Sequence, residues 1–213
     1  MTTPASRKEA VERRVWRLGY LLTGDGGHAA ALVDRVVRVR PDLLALEEPK
    51  LDRLVVLHAR EMPAASVASV LRGSPAGAPG APEDPGAALL RQARAAVLAL
   101  PEQPREAWVL THLEQLDDLH MSRAMDCSKV AARNHLAAAD EQMTVSLGKD
   151  LPAATDRLRA HAAALDAAPL IAAHRAGRRK RAMTKWGIIA VAAAVVVLGG
   201  AWTVLRALGL SAG

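Results

Sequence analysis

Apolar side chains recur along this chain at spacings of three and four, the period at which one face of an α-helix repeats. Val11, Val15, Leu18 and Leu22 share a stripe behind Ser6 and Glu9, a capping-box pair, and Gly24, Gly26 and Gly27 stand where that helix should end. A second stripe of Leu32, Val33, Val36 and Val37 predicts a helix from His28 to about Val39, stopped before Pro41. Together the two form a helical hairpin. Leu51, Leu54, Val55 and His58 mark a third helix from about Lys50 to Glu61, closed by Pro63, and Ser66 to Leu71 add a short fourth.

Residues 73–87 interrupt the pattern. They are rich in Gly, Pro and Ala and hold no large apolar side chain, a composition that cannot bury enough surface to order itself. A flexible linker is expected there, between a small helical domain over 1–72 and a second over 88–146. The second opens with a helix over 88–100, broken at Pro101, and continues with one from about Pro104 to Gln115 that carries Trp108, Val109 and Leu113. Asp117 can cap a short helix holding Leu119, Met121 and Ala124, and a turn around Asp126 and Cys127 precedes Ser128, a second cap. In the helix after it, Ala132, Leu136, Ala139 and Met143 fall on one stripe, leaving Lys129, Arg133, Asn134 and Ala137 to face outward. Short helix, tight turn and capped helix read as either a helix-turn-helix or an ordinary helical hairpin. A last helix is expected over about 151–176, in a helical and basic segment that runs over 147–185.

Composition points the same way. Of the 213 residues none is Phe and one is Tyr, while Ala, Leu, Val and Arg dominate, which favours an all-α fold over sheets. The single Cys127 rules out an internal disulfide, and no Cys/His spacing suits zinc, so no metal and no cofactor is expected. There is no Gly-rich phosphate loop, no HExxH and no G-x-S-x-G, so no catalytic residues are expected and an enzyme is the least supported class.

Net charge is +6, and its placement matters more than its size. All 22 acidic residues lie in 1–170, whereas 171–213 hold seven Lys/Arg and no acid. That basic run abuts WGIIAVAAAVVVLGGAWTVL, residues 186–205, which is uncharged and bears Trp186 and Trp202 toward its ends. A helix of that length spans about 30 Å of hydrocarbon, so a transmembrane helix is expected over 186–208. Arg175, Arg178, Arg179, Lys180, Arg181 and Lys185 before the stretch, against Arg206 after it, orient the N-terminal part to the cytoplasm. The charged opening MTTPASRKEAVERR has no secretory signal, and the expected location is the inner membrane, single-pass, with membrane lipid as a contact and a short tail outside.

In this order the pieces resemble an extracytoplasmic-function RNA polymerase sigma factor over roughly residues 8–145. LGYLLTGDGGHAAALVDRVV is similar to the family's region 2, with its Leu-Thr-Gly-Asp signature, and residues 98–143 are similar to region 4. Leu100, Pro101 and Arg105 match the region 4 opening, and Leu113 and Leu116 the apolar positions around its second helix. Met121, Met125, Cys127 and Ser128 stand where the family carries Ile, Leu, a small apolar residue and Ser, and Val130, Ala132, Arg133 and Leu136 continue into its recognition helix. The resemblance implies a transcription regulator with RNA polymerase core and promoter DNA as partners. Leu32, Val33, Asp34, Val36 and Val37 would bind polymerase, and Ser128, Lys129, Arg133, Asn134 and His135 would bind DNA. The chain departs from the family at Ala31, where an acid is usual, at Asp34-Arg35, which replace Gln-Glu, and over residues 50–72, which lack aromatic side chains. Residues 114–143 also hold six acids against Arg123, Lys129 and Arg133. These departures keep a second reading open, a membrane adaptor or decoy that binds an anti-sigma or other signalling protein without binding DNA.

Overall fold

The computed structural model describes residues 4–42, 47–72 and 84–180. The fold is all-helical, with no strand among the described residues. The chain divides into two compact units, Met1–Ile171 and Ala172–Gly213. Of the second unit, residues 172–180 are described, and all are helical.

In the first unit, α1 (Pro4–Thr23) and α2 (Gly26–Val39) form the expected hairpin. They cross closely at Gly19, where an added Cβ would lie 2.7 Å from Leu32 Cδ2. Gly24 turns the chain between them at φ +72°, a left-handed conformation that favours glycine. Two boundaries differ from the sequence expectation. Ser6 lies inside α1 rather than capping it, and α2 begins at Gly26 because the Asp25 carboxylate accepts the His28 amide at 2.7 Å. α3 (Glu48–Arg60) and the short α4 (Val67–Arg72) follow. α3 buries Leu51, Val55, Val56 and Ala59, rotated slightly from the expected stripe, since Asp52 also turns inward to meet Arg14.

α5 (Pro85–Ala99) starts inside the segment expected to be linker. Asp84 accepts the Gly86 amide at 3.0 Å and Pro85 occupies the first turn, an N-terminal signature that composition alone renders as flexible chain. α6 (Glu102–Trp108) runs into a π-helical turn, Val109–Leu113, where one unbroken helix was expected. α7 (Asp118–Ala124) and α8 (Lys129–Leu147) follow, then a 3-10 turn at Gly148–Asp150 and α9 (Leu151–Ala164). The last expected helix breaks at Leu165 and Asp166, and the chain is helical again from 167.

One hydrophobic core serves both expected domains. It runs from Val15, Trp16 and Leu18 through Leu32 and Val55 to Trp108, Met121, Met143 and Leu158. With no Phe available, Met121, Met125 and Met143, all buried, fill the space between helices with flexible thioethers. Arginines of the first half also seek acceptors in the second. Arg17 bonds Glu114 at 2.9 and 2.5 Å, and Arg60 bonds Glu106 at 2.8 and 2.7 Å and the Met125 carbonyl at 3.0 Å. In return, Arg105 of α6 donates to the Leu22 carbonyl at 2.9 Å. The two sets of helices are thus packed and cross-linked within a single unit.

The single-pass membrane location expected above is corrected. Among the described residues no helix is long and apolar enough to cross a membrane. The uncharged stretch 186–205 that carried the expectation lies outside the described residues.

A candidate nucleic-acid interface

Local chemistry fixes the geometry of α7, its turn and α8. Asp117 caps α7 by accepting the His120 amide at 2.8 Å. That amide, together with the His120 ring, holds the Asp117 carboxyl below its ordinary pKa. The α7 helix stops where Asp126 adopts φ +57°, a left-handed conformation that Asp tolerates better than most side chains. The Cys127 amide then reaches back to the Ser122 carbonyl at 3.0 Å, closing the turn. Ser128 caps α8 by accepting the Ala131 amide at 3.1 Å.

Helix α8 presents two unlike faces. Ala132, Ala139 and Met143 are fully buried, and the small alanines let α6 approach closely. Lys129, Val130, Arg133, Asn134 and Ala137 are exposed. Of the five residues expected to bind DNA, Ser128, Lys129, Arg133 and Asn134 share the exposed side of the helix start, whereas His135 is half-buried. Arg133 does not extend freely, since its guanidinium meets Asp118 of α7 at 2.6 Å.

The acidity of residues 114–143 looks different in three dimensions. Glu114 is buried under Arg17, Asp126 pairs with Arg53 of α3 at 2.8 Å, and Asp140 meets His112 at 2.8 Å. All three partners come from outside the segment, and two of them, Arg17 and Arg53, are cations, so its own count of charges overstates the negative potential over α8. No periodicity marks them. Arg17 lies 97 residues from Glu114, a separation that local pattern does not connect.

The expected polymerase contacts fare differently. Leu32 and Val33 are 0% exposed and Val36 is 1% exposed, all facing α1 in the core. Val37 is packed against the same core, and Asp34 is half-buried. Leu32, Val33 and Val36 are thus committed to the core seam of the α1–α2 hairpin, and Asp34 and Val37 are the two of the five that keep exposed surface.

Burial shapes the charges beneath the interface. It raises the carboxyl pKa of Glu106 and of Asp52, against the opposing pull of Arg60 and Arg14 respectively. Both groups brace helices rather than face solvent. Beside the α7–α8 turn, an open groove of about 570 Å³ has Glu47, Pro49, Lys50 and Arg53 on its α3 wall. Ser122, Arg123, Asp126, Cys127 and Ser128 line its other wall. Sequence reasoning missed the α3 side of it. No cluster of three or more His, Cys, Asp or Glu among the described residues could hold a metal ion.

No protein-family model matches the chain, and no curated protein matches it either.

Proposed function

We propose that this protein is a sigma-factor-like transcription regulator that binds promoter DNA with α8 in the major groove. The observation carrying the reading is the outward face of α8, where Lys129, Arg133 and Asn134 project together from a capped helix start. Such side chains have defined work at base edges: Arg and Lys donate to guanine, and Asn both donates to and accepts from adenine. The left-handed turn at Asp126 and the caps at Asp117 and Ser128 support it by holding two helices in the order that groove-reading proteins use. Burial of Leu32, Val33 and Val36 weakens the polymerase half of the family resemblance, so DNA is the primary partner in this reading and RNA polymerase core the secondary one.

Selection of duplexes from a random library by the full-length chain at low salt tests the proposal. Recovery of a common motif is expected, with Asn134→Ala relaxing the preference at one base pair at a cost of about 1–3 kcal/mol. Failure to retain any duplex sinks it. Co-purification with RNA polymerase core is a separate measurement of the secondary partner.

A second reading is an adaptor or decoy that binds an anti-sigma or other signalling protein. The Arg133–Asp118 pair favours it, because it ties down a cation that DNA would need. Under that reading, substitutions at Arg133 and Asn134 leave function intact, while substitutions on other exposed faces do not.

A further inference from the structure

We infer that the groove between α3 and the α7–α8 turn is a second DNA-contacting element, one that receives a backbone phosphate of the duplex whose bases α8 reads. The inference rests on the proposed DNA binding and adds a site which neither the sequence pattern nor the helix-turn-helix order assigns.

Three cations from two separate elements border the groove: Lys50 and Arg53 from α3, and Arg123 from α7. Two carboxylates oppose them, Glu47 at 3.4 Å from Lys50 and Asp126 at 2.8 Å from Arg53. Arg123 has no ion-pair partner among the described residues and is exposed. The balance is therefore positive, and a guanidinium has five N–H donors, so Arg53 can hold Asp126 and still donate to a second acceptor. A phosphodiester suits this lining because it is anionic, presents acceptor oxygens only, and needs no apolar enclosure.

Location selects DNA over a free anion. The groove wall ends at Ser128, and the next residue, Lys129, begins the exposed face of α8. The groove therefore adjoins the start of the α8 face. A volume of about 570 Å³ is also far larger than one phosphate requires, leaving room for the adjoining sugar. Because α3 and α8 belong to one compact unit, the spacing between base-reading and phosphate-holding residues is set before DNA arrives.

Two readouts on the full-length chain test this. Lys50→Gln combined with Arg123→Gln removes two exposed cations from that one phosphate, and the slope of log Kobs against log salt should become shallower by about 0.9, the value for a single phosphate contact. Asn134→Ala is the control, lowering affinity without changing the slope. Cys127, the only cysteine, lies in the groove wall, so saturating duplex should slow its alkylation by a small maleimide. If wild type binds duplex but the slope of the double variant is unchanged and Cys127 reacts at its free rate, the groove assignment is overturned and the α8 reading survives. Protection of Cys127 by pyrophosphate but not by bound duplex overturns it in favour of a small anion. A wild-type chain that binds no duplex at all overturns both.

Discussion

Helices α2 and α8 were each expected to meet a partner, and they use their expected residues in opposite directions. In α2 those residues are mostly valine and leucine, and they lie in the seam against α1. In α8 they are mostly charged or polar, and four of the five remain at the surface. The contrast teaches that an apolar stripe at helical spacing is claimed first by the chain's own core, where each buried branched side chain contributes about 1.5–3 kcal/mol. The polar face of α8 has no claimant in the core, only the exposed Asp118 beside Arg133. It is the better guide to a partner.

The strongest way to break the contrast is Leu32→Asp. If α2 is structural, a carboxylate at this fully buried position removes the folded state, seen as loss of a cooperative unfolding transition. A stable protein with altered partner binding would restore α2 as a docking face. Next in size is Arg60→Ala, which strands the buried Glu106 carboxylate and the Met125 carbonyl and should cost about 3–5 kcal/mol by urea denaturation. The same change at the exposed Arg133 should cost less than about 1 kcal/mol.

Glu106 adds a pH dependence to this internal side of the comparison. Its folded pKa lies above the ordinary value because burial disfavours the charged form. A carboxyl shifted that way contributes stability below its unfolded pKa of about 4.3 and loses it as pH rises through the folded value. Glu106→Gln has no proton to lose, so the stability of wild type relative to this variant should decline from pH 4 toward pH 7. An increase over that range would show that Arg60, rather than burial, dominates the site.

Much of the helical order was legible beforehand, and the reasons differ between elements. The caps at Asp117 and Ser128 act within three residues, so the sequence displays donor and acceptor together. The start of α5 was concealed because Asp84 and Pro85 sit amid glycines and alanines that read as linker. The π-helical turn at Val109–Leu113 leaves no mark in the apolar periodicity, which runs through it unbroken. Least legible was the meeting of halves: Arg17 with Glu114, Arg60 with Glu106 and Arg53 with Asp126 join residues 97, 46 and 73 positions apart. Those pairs decide which acids carry a neutralising cation, and so they bear on how the surface near α8 is charged.

Smaller effects probe the α8 side. Ser128→Ala removes the cap and should cost about 1 kcal/mol, with DNA affinity falling because the first turn that carries Lys129 frays. A thermal melt and a binding isotherm on the same variant separate the two consequences. Unchanged affinity despite a lowered melting temperature would mean that the helix start takes no part in recognition.

Asp118→Asn is the finest test, since it should barely change stability yet should change binding. The carboxylate holds Arg133 at 2.6 Å, and both side chains are substantially exposed, so the pair is worth about 0–1 kcal/mol to the fold. Under the proposed DNA reading, removing the charge releases a guanidinium for a duplex and lifts one negative charge from the approach of its phosphates; a gain of several-fold in duplex affinity is expected. Two causes are thereby mixed, and the background Arg133→Ala separates them. If Asp118 acts by restraining Arg133, the gain disappears there; if it acts only by repelling phosphates, the same gain persists. Loss of the gain makes Asp118 a gate on the recognition helix. Persistence makes it one more surface charge, and no gain in either background means that α8 does not face DNA through Arg133.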